Sequence, residues 1–537
     1  MPDTKKKLIT ITNLKKYFPV GKPGLFGKNQ RFVRANEDIS LDIYEGETLG
    51  LVGESGCGKS TFGRVILQLY PQTAGSSMYY GRTLEDVAPR YMGYTLKNAG
   101  KMRSRYFDAQ KKAAEAVSKC EAEGDNASYE LNLARDEALF AAENALNNSA
   151  KLLGGFMACE NIDEPAAVML KLYNASVELF DVKEKISLLD VRIGELEESG
   201  RGSSKTAEKH RATVAELSSR LPELEEKCRV YTDDVAAEKE KYRHLPDFDK
   251  YEALRDDGID LSRLTYNEIR HLRKDLQIIF QDPYSSLNPR LTVGQSIEEG
   301  LVTHNMYPRR AERTKQYILD VMDRCGLQDY MLHRFPHQFS GGQRQRICIA
   351  RTLAVQPKFV ICDECVSALD VSIQSQIINL LLELKEKNKL TYLFISHDLS
   401  VVKYISDRIG VMYLGNIVEL SDKKDIFDDP RHPYTVALLS SIPTTDPDSA
   451  GKARIILEGN IPSPINPPSG CKFHTRCFMA TEKCKRVVPR LEEIEPNHFV
   501  ACHYPERKIG ENGEYLIDLG DKLRKDSSKS YGNLEEA

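Results

Sequence analysis

A glycine-rich segment that follows a short apolar run carries the clearest chemistry in the sequence. Residues 53–61 read Gly-Glu-Ser-Gly-Cys-Gly-Lys-Ser-Thr, directly after the apolar residues 49–52. Glycines let backbone N–H groups converge on phosphate oxygens, and a helix that begins here offers its positive N-terminus. In such a loop Lys59 would reach the β- and γ-phosphates and the Ser60 hydroxyl would ligate Mg²⁺. The segment, called the P-loop below, predicts a nucleotide site, and the alternative is a glycine-rich turn that matches by chance. The residues assigned to the nucleotide are Gly53, Ser55, Gly56, Gly58, Lys59, Ser60 and Thr61.

An apolar segment that ends in two acids is the second feature. Residues 359–362 read Phe-Val-Ile-Cys and lead into Asp363 and Glu364. Asp363 is suited to hold Mg²⁺, and Glu364 is placed to polarise an attacking water as a general base. Alone this pattern is weak, because many parallel strands end in an acid that caps the next helix. Its context decides between these interpretations.

That context is a second glycine-rich segment, residues 340–343, which read Ser-Gly-Gly-Gln. It opens a predicted helix whose apolar residues, Ile347 among them, face inward. The segment forms a second helix N-terminus suited to an anion. With these segments in this order, the chain resembles an ABC-type ATPase cassette, in which residues 340–343 are the signature motif. The resemblance implies an α/β fold with a RecA-like core, an antiparallel β-subdomain and a helical signature subdomain. It also implies nucleotide contacts from Ser340, Gly341, Gly342 and Gln343.

The resemblance gives roles to residues that would be unremarkable alone. Gln281 matches the Q-loop glutamine, which in the family senses Mg²⁺ and lies near the transmembrane partner. Asp370 lies in the segment that matches the D-loop. His397 matches the switch histidine that contacts the γ-phosphate. Phe18 lies where an adenine-stacking aromatic is expected, with Tyr17 as its neighbour and rival.

The family mechanism needs two cassettes. In the resembled family the signature residues of one subunit cap the γ-phosphate that is held by the P-loop of the other, so two cassettes enclose two nucleotides. The resemblance therefore implies a dimer of ATPase subunits that binds ATP and Mg²⁺. The catalytic residues it implies are Glu364, His397 and Gln281, and the Mg²⁺ ligands are Ser60, Gln281 and Asp363.

Several segments resemble the ATPase subunits of oligopeptide and dipeptide importers, particularly the subunit usually lettered F. Residues 281–290 read Gln-Asp-Pro-Tyr-Ser-Ser-Leu-Asn-Pro-Arg, and residues 432–435 read His-Pro-Tyr-Thr. The likeness covers residues 1 to about 80 and about 258 to 505, and Cys365 departs from it because the family usually has proline there. It implies a subunit at the cytoplasmic face of the cell membrane.

The importer resemblance also implies partners. These are a paralogous ATPase subunit in a heterodimer, two transmembrane permeases and an extracytoplasmic substrate-binding protein. The segment from Tyr284 through Gln295 is expected to line the cleft that receives a permease helix.

Four of the twelve cysteines cluster late in the chain, at Cys471, Cys477, Cys484 and Cys502. Four thiolates in a proline-rich segment could bind Zn²⁺ or an iron–sulfur cluster, either of which would order so small a core. The spacings lack the C-x₂-C pairs typical of zinc fingers. The resembled extension binds a [4Fe-4S] cluster in some members, and all four cysteines match. The alternatives are Zn²⁺, with His474 and His503 as further candidate ligands, and free thiols or disulfides. The other eight cysteines suit reduced thiols of a cytosolic protein.

Lys59 and Gln281 lie 222 positions apart, far more than an ABC cassette requires, so an extra module is inserted. Apolar residues at spacings of three and four predict two helices, over about 172–196 and 207–235, joined by a turn at 200–204. They should form an antiparallel hairpin roughly 40 to 50 Å long, kinked at Pro222. Residues 105–155 are predicted to be further helix beside its base. The insertion is either a helical decoration or a docking arm for a partner.

Length and charge limit the alternatives. The 537 residues carry a net charge of −4 and show no basic concentration, which argues against nucleic-acid binding. No 18-residue apolar window occurs, so membrane contact must come through partners. A DNA-repair ATPase with a coiled-coil interruption is the competing class, but there the interruption follows the Q-loop. The predicted units are two cassette parts at 1–80 and 258–430, an insertion at 81–257, a C-terminal extension at 431–505 and a polar tail at 506–537.

Overall fold

The computed structural model describes residues 5–21, 31–124, 128–441, 455, 457, 459–505, 508–509 and 515–516. Most of the predicted tail therefore lies outside the described residues. The strands are β1 (Lys7–Val20), β2 (Arg31–Tyr44), β3 (Thr48–Val52), β4 (Ala74–Tyr79), β5 (Ile259–Asp260), β6 (Leu276–Ile279), β7 (Phe359–Asp363), β8 (Thr391–Ile395), β9 (Arg408–Tyr413), β10 (Asn416–Asp422), β11 (Glu492–Glu495), β12 (His498–Val500), β13 (Lys508–Ile509) and β14 (Tyr515–Leu516).

Among the described residues, the largest sheet has eight strands in the order β11-β12-β10-β9-β3-β8-β7-β6. The five strands from β9 to β6 run parallel, and β10, β12 and β11 extend the sheet in antiparallel pairing. Every residue of β3, β7 and β8 is buried. Continuous apolar strands of this kind belong at the centre of a parallel sheet that is covered on both faces. The carboxyl ends of β3, β6, β7 and β8 therefore meet at one edge of the sheet.

The helices are α1 (Lys59–Ile66), α2 (Leu84–Val87), α3 (Arg90–Lys97), α4 (Ala99–Glu123), α5 (Tyr129–Leu153), α6 (Asp163–Glu198), α7 (Lys205–Tyr242), α8 (Phe248–Glu252), α9 (Tyr266–Leu272), α10 (Pro283–Ser286), α11 (Val293–Thr303), α12 (Glu312–Arg324), α13 (Gly341–Ala354), α14 (Val371–Asn388), α15 (Leu399–Ile405), α16 (Lys423–Asp428), α17 (Pro433–Ser440) and α18 (Glu482–Arg486). Helices α11, α12 and α13, which lie between β6 and β7 in the chain, pack together as a helical layer. Ile347, Ile349 and Ala350 of α13 are buried in it, as the periodicity predicts.

A second sheet is antiparallel, with the order β2-β1-β4-β5. Two neighbours in this sheet are distant in sequence: β4 pairs with the edge strand β5, with Tyr79 opposite Ile259. Helices α2 to α8 lie between these two strands in the chain. The segment from 81 to 257 therefore leaves and rejoins the sheet at neighbouring points.

Two helices of this segment, α6 and α7, form a long antiparallel pair. They have 36 and 38 residues, so each is roughly 55 Å long at 1.5 Å per residue, which is longer than the sequence predicts. Ser204 caps the start of α7 by accepting a hydrogen bond from the Ala207 N–H at 3.3 Å. Pro222 lies inside α7, which continues on both sides of it.

The base of the pair packs on α4, α5 and the 3₁₀ turn Gly154–Ala158. Its core contains aromatic and sulfur side chains, with Phe156 edge-to-face on both Tyr242 and Phe248. The extra length of α6 comes mainly from its first turns, where Ala166 and Met169 are buried in the core of this base. No helix in the described part of the chain is both long enough and apolar enough to cross a membrane.

Candidate nucleotide site

The P-loop connects β3 to α1, and two of its glycines are sterically required. Gly53 has φ 151° and Gly58 has φ 104°. A Cβ on Gly53 would lie 2.1 Å from the Met412 carbonyl oxygen, and one on Gly58 would lie 2.1 Å from the Ala35 carbonyl oxygen. Neither the backbone angle nor the space admits a side chain. Ser55 and Gly56 are exposed at the crest of the loop, and Thr61 is half-buried on α1.

Lys59 is folded into the loop that it follows. Its side chain is buried, and its ammonium donates to the carbonyl oxygens of Gly53 at 2.7 Å and Glu54 at 3.1 Å. The loop thus holds one positive charge at the N-terminus of α1, where the helix dipole also favours an anion. This arrangement is suited to phosphate.

Ser60 and Asp363 meet although they are 303 positions apart. The Ser60 hydroxyl donates to Oδ1 of Asp363 at 2.5 Å, and the Arg64 guanidinium lies 3.4 Å from Oδ2. Asp363 is only 1% exposed, because it ends the buried strand β7. A hydroxyl and a carboxylate are hard oxygen ligands of the kind Mg²⁺ prefers.

Glu364, Gln281 and His397 come together at the ends of three adjacent strands. Oε2 of Glu364 accepts a hydrogen bond from the Gln281 amide at 2.9 Å and lies 3.4 Å from Nδ1 of His397. Gln281 follows β6, Glu364 follows β7 and His397 follows β8, so the sheet order places them side by side. Glu364 has φ 48°, a left-handed conformation that re-aims its side chain at the end of β7. The Gln281 amide contacts Glu364 and not the Ser60–Asp363 pair.

The signature residues and Asp370 lie at helix starts. Ser340 caps α13 in a capping box, in which its hydroxyl accepts from the Gln343 N–H and its own N–H donates to the Gln343 side chain. Oδ1 of Asp370 accepts from the Ile373 N–H at 3.0 Å and caps α14. A Cβ on Gly342 would lie 2.5 Å from the Ile373 side chain. Within the described residues, the hydrogen bonds of Ser340 and Gln343 do not reach the P-loop.

The two aromatic candidates on β1 have different partners. The Phe18 ring packs edge-to-face on Tyr70 at 5.5 Å, with the Lys16 ammonium 4.6 Å from its centroid. The Tyr17 hydroxyl donates to Glu37 at 2.7 Å. Burial, and then the neighbouring Glu37 carboxylate, raise the pKa of Tyr17 above its ordinary value. Tyr17 is therefore a neutral hydrogen-bond donor to Glu37, whereas the Phe18 ring has no hydrogen-bonding group.

The four late cysteines line one small cavity together with Phe473 and Met479. Burial, and then neighbouring thiols, raise the pKa of Cys471 to about 12, and the pKa of Cys477 is also raised by burial. His474 and His503 border the same cavity, but each has a ring nitrogen at hydrogen-bond distance from a backbone carbonyl, of Cys471 and Val487 respectively. Among the described residues, no group of three or more His, Cys, Asp or Glu is arranged to hold a metal ion. No disulfide joins any of the twelve cysteines, all of which lie among the described residues.

A groove of about 270 Å³ lies against the segment that follows Gln281 in the chain. Tyr284 and Pro289 of that segment line it together with Pro336, His337 and Arg344, whose guanidinium lies 5.2 Å from the Tyr284 ring. Further along the chain, Thr292 and Gln295 form the capping box of α11, with Val293 and Gly294 buried and Gln295 exposed. The expectation that the segment up to Gln295 lines a cleft for a permease helix stays a prediction.

Sequence reasoning missed the residues that join this site to the C-terminal extension. The Glu54 carboxylate accepts two hydrogen bonds from Arg476, and the Glu54 N–H donates to the Tyr434 hydroxyl. Lys472 forms an ion pair with Glu37 at 2.9 Å. The partners are hundreds of positions apart, so no local pattern could have found them.

Comparison with known proteins gives matches over most of the cassette. A family model described as "ABC transporter" matches residues 36–155 and 249–367, and one described as "Oligopeptide/dipeptide transporter, C-terminal region" matches residues 418–484. The oligopeptide transport ATP-binding protein AppF of Bacillus subtilis is 54% identical over 248 residues, which are 46% of this chain and 75% of AppF.

A putative peptide import ATP-binding protein of Brucella ovis is 51% identical over 248 residues, which are 46% of this chain and 77% of the relative. The solved dimeric structure of MJ0796, a bacterial ABC transporter cassette, aligns with a TM-score of 0.40 at 16% identity and covers 78% of this chain and 99% of that one.

Proposed function

The chain belongs to the family of ABC transporter ATP-binding proteins, and we infer that it is the ATP-binding, ATP-hydrolysing subunit of a peptide importer. The observation that carries this is a pair of likenesses that name the same substrate class. Over 248 residues the chain is 54% identical to an oligopeptide transport ATP-binding protein, and residues 418–484 match the family model of an oligopeptide/dipeptide transporter C-terminal region. The substrate class therefore rests on more than the ATPase core.

For nucleotide binding, we propose that the P-loop backbone and Lys59 hold the phosphates. Ser60 and Asp363, already in contact, would hold Mg²⁺, which supplies charge neutralisation for the β- and γ-phosphates. Phe18 would stack on the adenine, because the Tyr17 hydroxyl is bonded to Glu37, whereas the Phe18 ring makes only an edge-to-face contact with Tyr70 and a cation–π contact with Lys16.

For hydrolysis, we propose that Glu364 is the general base. Both of its contacts, with Gln281 and His397, fall on Oε2. This leaves Oε1, within the described residues, to accept a proton from the attacking water. Gln281 orients the carboxylate, and His397 is positioned to contact the γ-phosphate. The chemistry is mainly positioning and electrostatic stabilisation, as phosphoryl transfer requires.

We further propose that the complete site needs a second ATPase subunit. The signature motif begins α13, where Ser340 and Gly341 are exposed and Gly342 is buried, and the described hydrogen bonds of Ser340 and Gln343 do not reach the P-loop of their own chain. An exposed helix N-terminus is suited to the phosphates of a neighbouring subunit. Following the resemblance, that neighbour would be a paralogous ATPase in a heterodimer.

The groove lined by Tyr284 and Pro289 is proposed to receive a cytoplasmic helix of a permease. It has an exposed aromatic, Tyr284, and two prolines in its lining, and aromatic residues are enriched at interfaces. Because Gln281 precedes the groove and contacts Glu364, closure of the ATP site would move the residues that touch the permease. The subunit would thus act at the cytoplasmic face of the membrane.

For the four-cysteine cavity, we propose a [4Fe-4S] cluster. Four thiols that face one enclosed apolar cavity fit the Cys₄ ligand set of such a cluster. Zn²⁺ held by the same thiols is the alternative. Iron and acid-labile sulfide in anaerobic protein, both lost in Cys477→Ser, are the expected result. Stoichiometric zinc without iron would overturn it.

We propose residues 81–257 as one inserted unit. The pairing of β4 with β5 across it supports these limits, although the family match runs on to residue 155 and resumes at 249. Near its turn, the α6–α7 hairpin contacts the helical layer that carries the signature motif. There Arg309, between α11 and α12, donates its N–H to Glu195 of α6 at 3.4 Å.

Deletion of the hairpin tip, between Lys183 and Glu225, which are 3.0 Å apart, distinguishes a docking arm from a structural decoration. Loss of partner binding with ATP affinity retained supports the docking arm.

Purification of the tagged chain from native membranes tests the function as a whole. We expect two permeases, a second ATPase subunit and a substrate-binding protein to co-purify, and peptide-stimulated ATP hydrolysis in reconstituted vesicles. A chain that binds ATP but co-purifies with DNA-repair proteins would contradict the importer function.

A further inference from the structure

Two basic residues of the cysteine-rich segment reach the nucleotide site. Lys472 directly follows Cys471, and its ammonium lies 2.9 Å from Oε2 of Glu37. Arg476 directly precedes Cys477, and its guanidinium donates to both oxygens of Glu54, at 2.8 and 3.1 Å. The segment between Cys471 and Cys477 thus contacts Glu54 of the P-loop and Glu37, which lies on β2.

Glu54 is fixed by three different groups. Its carboxylate binds Arg476, its N–H donates to the Tyr434 hydroxyl at 2.9 Å, and its carbonyl accepts from the Lys59 ammonium at 3.1 Å. The first two partners belong to the C-terminal extension, and the third is the phosphate-binding lysine. The backbone at Glu54 therefore has the extension on one side and Lys59 on the other.

The Arg476–Glu54 pair has the features of a strong interaction. It is bidentate, and the Arg476 side chain is only 7% exposed. Charge-assisted bonds with two parallel contacts are stronger and more directional than single ones. Phe473, from the same segment, packs against Tyr413 at 5.1 Å and Tyr434 at 5.4 Å. These aromatic contacts limit the positions that Arg476 can take.

We propose that Arg476 is a positioning residue for the P-loop, which holds Glu54 so that the loop and Lys59 stay in their phosphate-binding arrangement. The affinity for ATP then depends on the C-terminal extension. This inference rests on the proposed nucleotide site. It predicts that the extension, besides holding its cysteines, sets how tightly the cassette binds nucleotide.

Without the Arg476–Glu54 pair, the free P-loop would take more conformations. Ordering it when ATP binds would then cost more conformational entropy. Glu54 would keep its backbone contacts but lose the side-chain anchor, and ATP would have to order the loop as it binds. Loss of a hydrogen-bonded charged pair of this kind corresponds to roughly a tenfold rise in the dissociation constant. Arg476→Lys keeps the charge but not the bidentate geometry, so we expect an intermediate value.

The test is a double-mutant cycle in the full-length protein, with a fluorescent ATP analogue and Mg²⁺ as the probe. We expect Arg476→Gln and Glu54→Gln each to weaken binding by roughly tenfold and the double variant to bind no more weakly than either. Lys485→Gln, which breaks the exposed ion pair with Glu482 in the same extension, is the matched control and should bind like the wild type.

Each outcome decides the inference. Independent, multiplying effects of the two substitutions, or a well-folded Arg476→Gln with unchanged affinity, would overturn it. If Arg476→Gln does not fold, Arg476→Lys and Glu54→Gln carry the cycle, since Glu54 lies outside the extension. Failure of the wild-type protein to bind the analogue at all would instead contradict the nucleotide site itself.

Discussion

The central sheet of the cassette and the α6–α7 hairpin are stabilised in different ways. Strands β3, β7 and β8 are buried along their whole length, and their side chains join two large cores on the two faces of the sheet. The hairpin is longer than any strand, yet its own core away from the base consists of four buried side chains: Val182, Leu189, Leu217 and Leu224. Its outer faces are exposed and carry ion pairs.

The difference explains where the chemistry lies. Asp363 ends the buried strand β7, and Glu364 and His397 follow β7 and β8, so the rigid sheet fixes the backbone positions of all three, although the His397 side chain is exposed. Away from its base, α7 packs on α6 through a narrow seam, so opening of one part of α7 need not disturb the cassette. A module of this kind can vary in sequence and length while the site in the cassette stays the same. Substitutions in the two regions should therefore have separable effects.

The largest effect is expected at the site. Glu364→Gln removes the proposed base but keeps the side chain's size and its contact with Gln281, so turnover should fall by about 10²- to 10⁴-fold. ATP binding should persist. Phosphate release from the assembled transporter measures turnover, with the exposed Glu386→Gln on α14 as control. A fall of less than tenfold would mean that Glu364 is not the base.

Much of the site could be predicted because its motifs are local. The P-loop, the two acids after β7 and the signature segment are each recognisable within ten residues. Their convergence also follows from elementary rules, since the carboxyl ends of neighbouring parallel strands share one edge of the sheet. The finding that Glu364 contacts both Gln281 and His397 agrees with that expectation.

The contacts that the sequence could not reveal are those between distant segments. Arg476 and Glu54 are 422 positions apart, and nothing around either residue indicates its partner. The first turns of α6 were not predicted because their apolar residues, Ala166 and Met169 among them, pack in the core of the hairpin's base and do not continue the regular spacing of the hairpin seam.

A cavity in the sheet should cost the next largest amount. Phe394 is fully buried in β8, so Phe394→Ala should lower the free energy of unfolding of the cassette by about 3–5 kcal/mol. Val371→Ala, at an exposed site on α14, is the control. Thermal unfolding followed with and without ATP measures the difference. Unchanged cassette stability would show that the buried sheet does not dominate it.

The same kind of cavity in the hairpin should act locally. Leu217 is buried between α7 and α6, and Leu217→Ala should weaken the pair by about 2–3 kcal/mol. Hydrogen exchange should accelerate in α6 and α7 while the cassette's exchange and ATP affinity stay unchanged. Val230→Ala, exposed on the same helix, is the control. A matching fall in ATP affinity would show that the two regions are coupled.

The smallest effect is expected from the ion pairs on the hairpin surface. Glu178 on α6 lies 2.9 Å from Arg220 and 3.5 Å from Lys227 on α7, and all three side chains are substantially exposed. Water and salt screen such pairs, so Glu178→Gln should change hairpin stability by less than about 1 kcal/mol. The residual effect should vanish in high salt, because the screening length shortens. Hydrogen exchange of α6 and α7 at low and high salt measures it. An effect as large as that of Leu217→Ala would mean that surface charge, and not the buried seam, holds the two helices together.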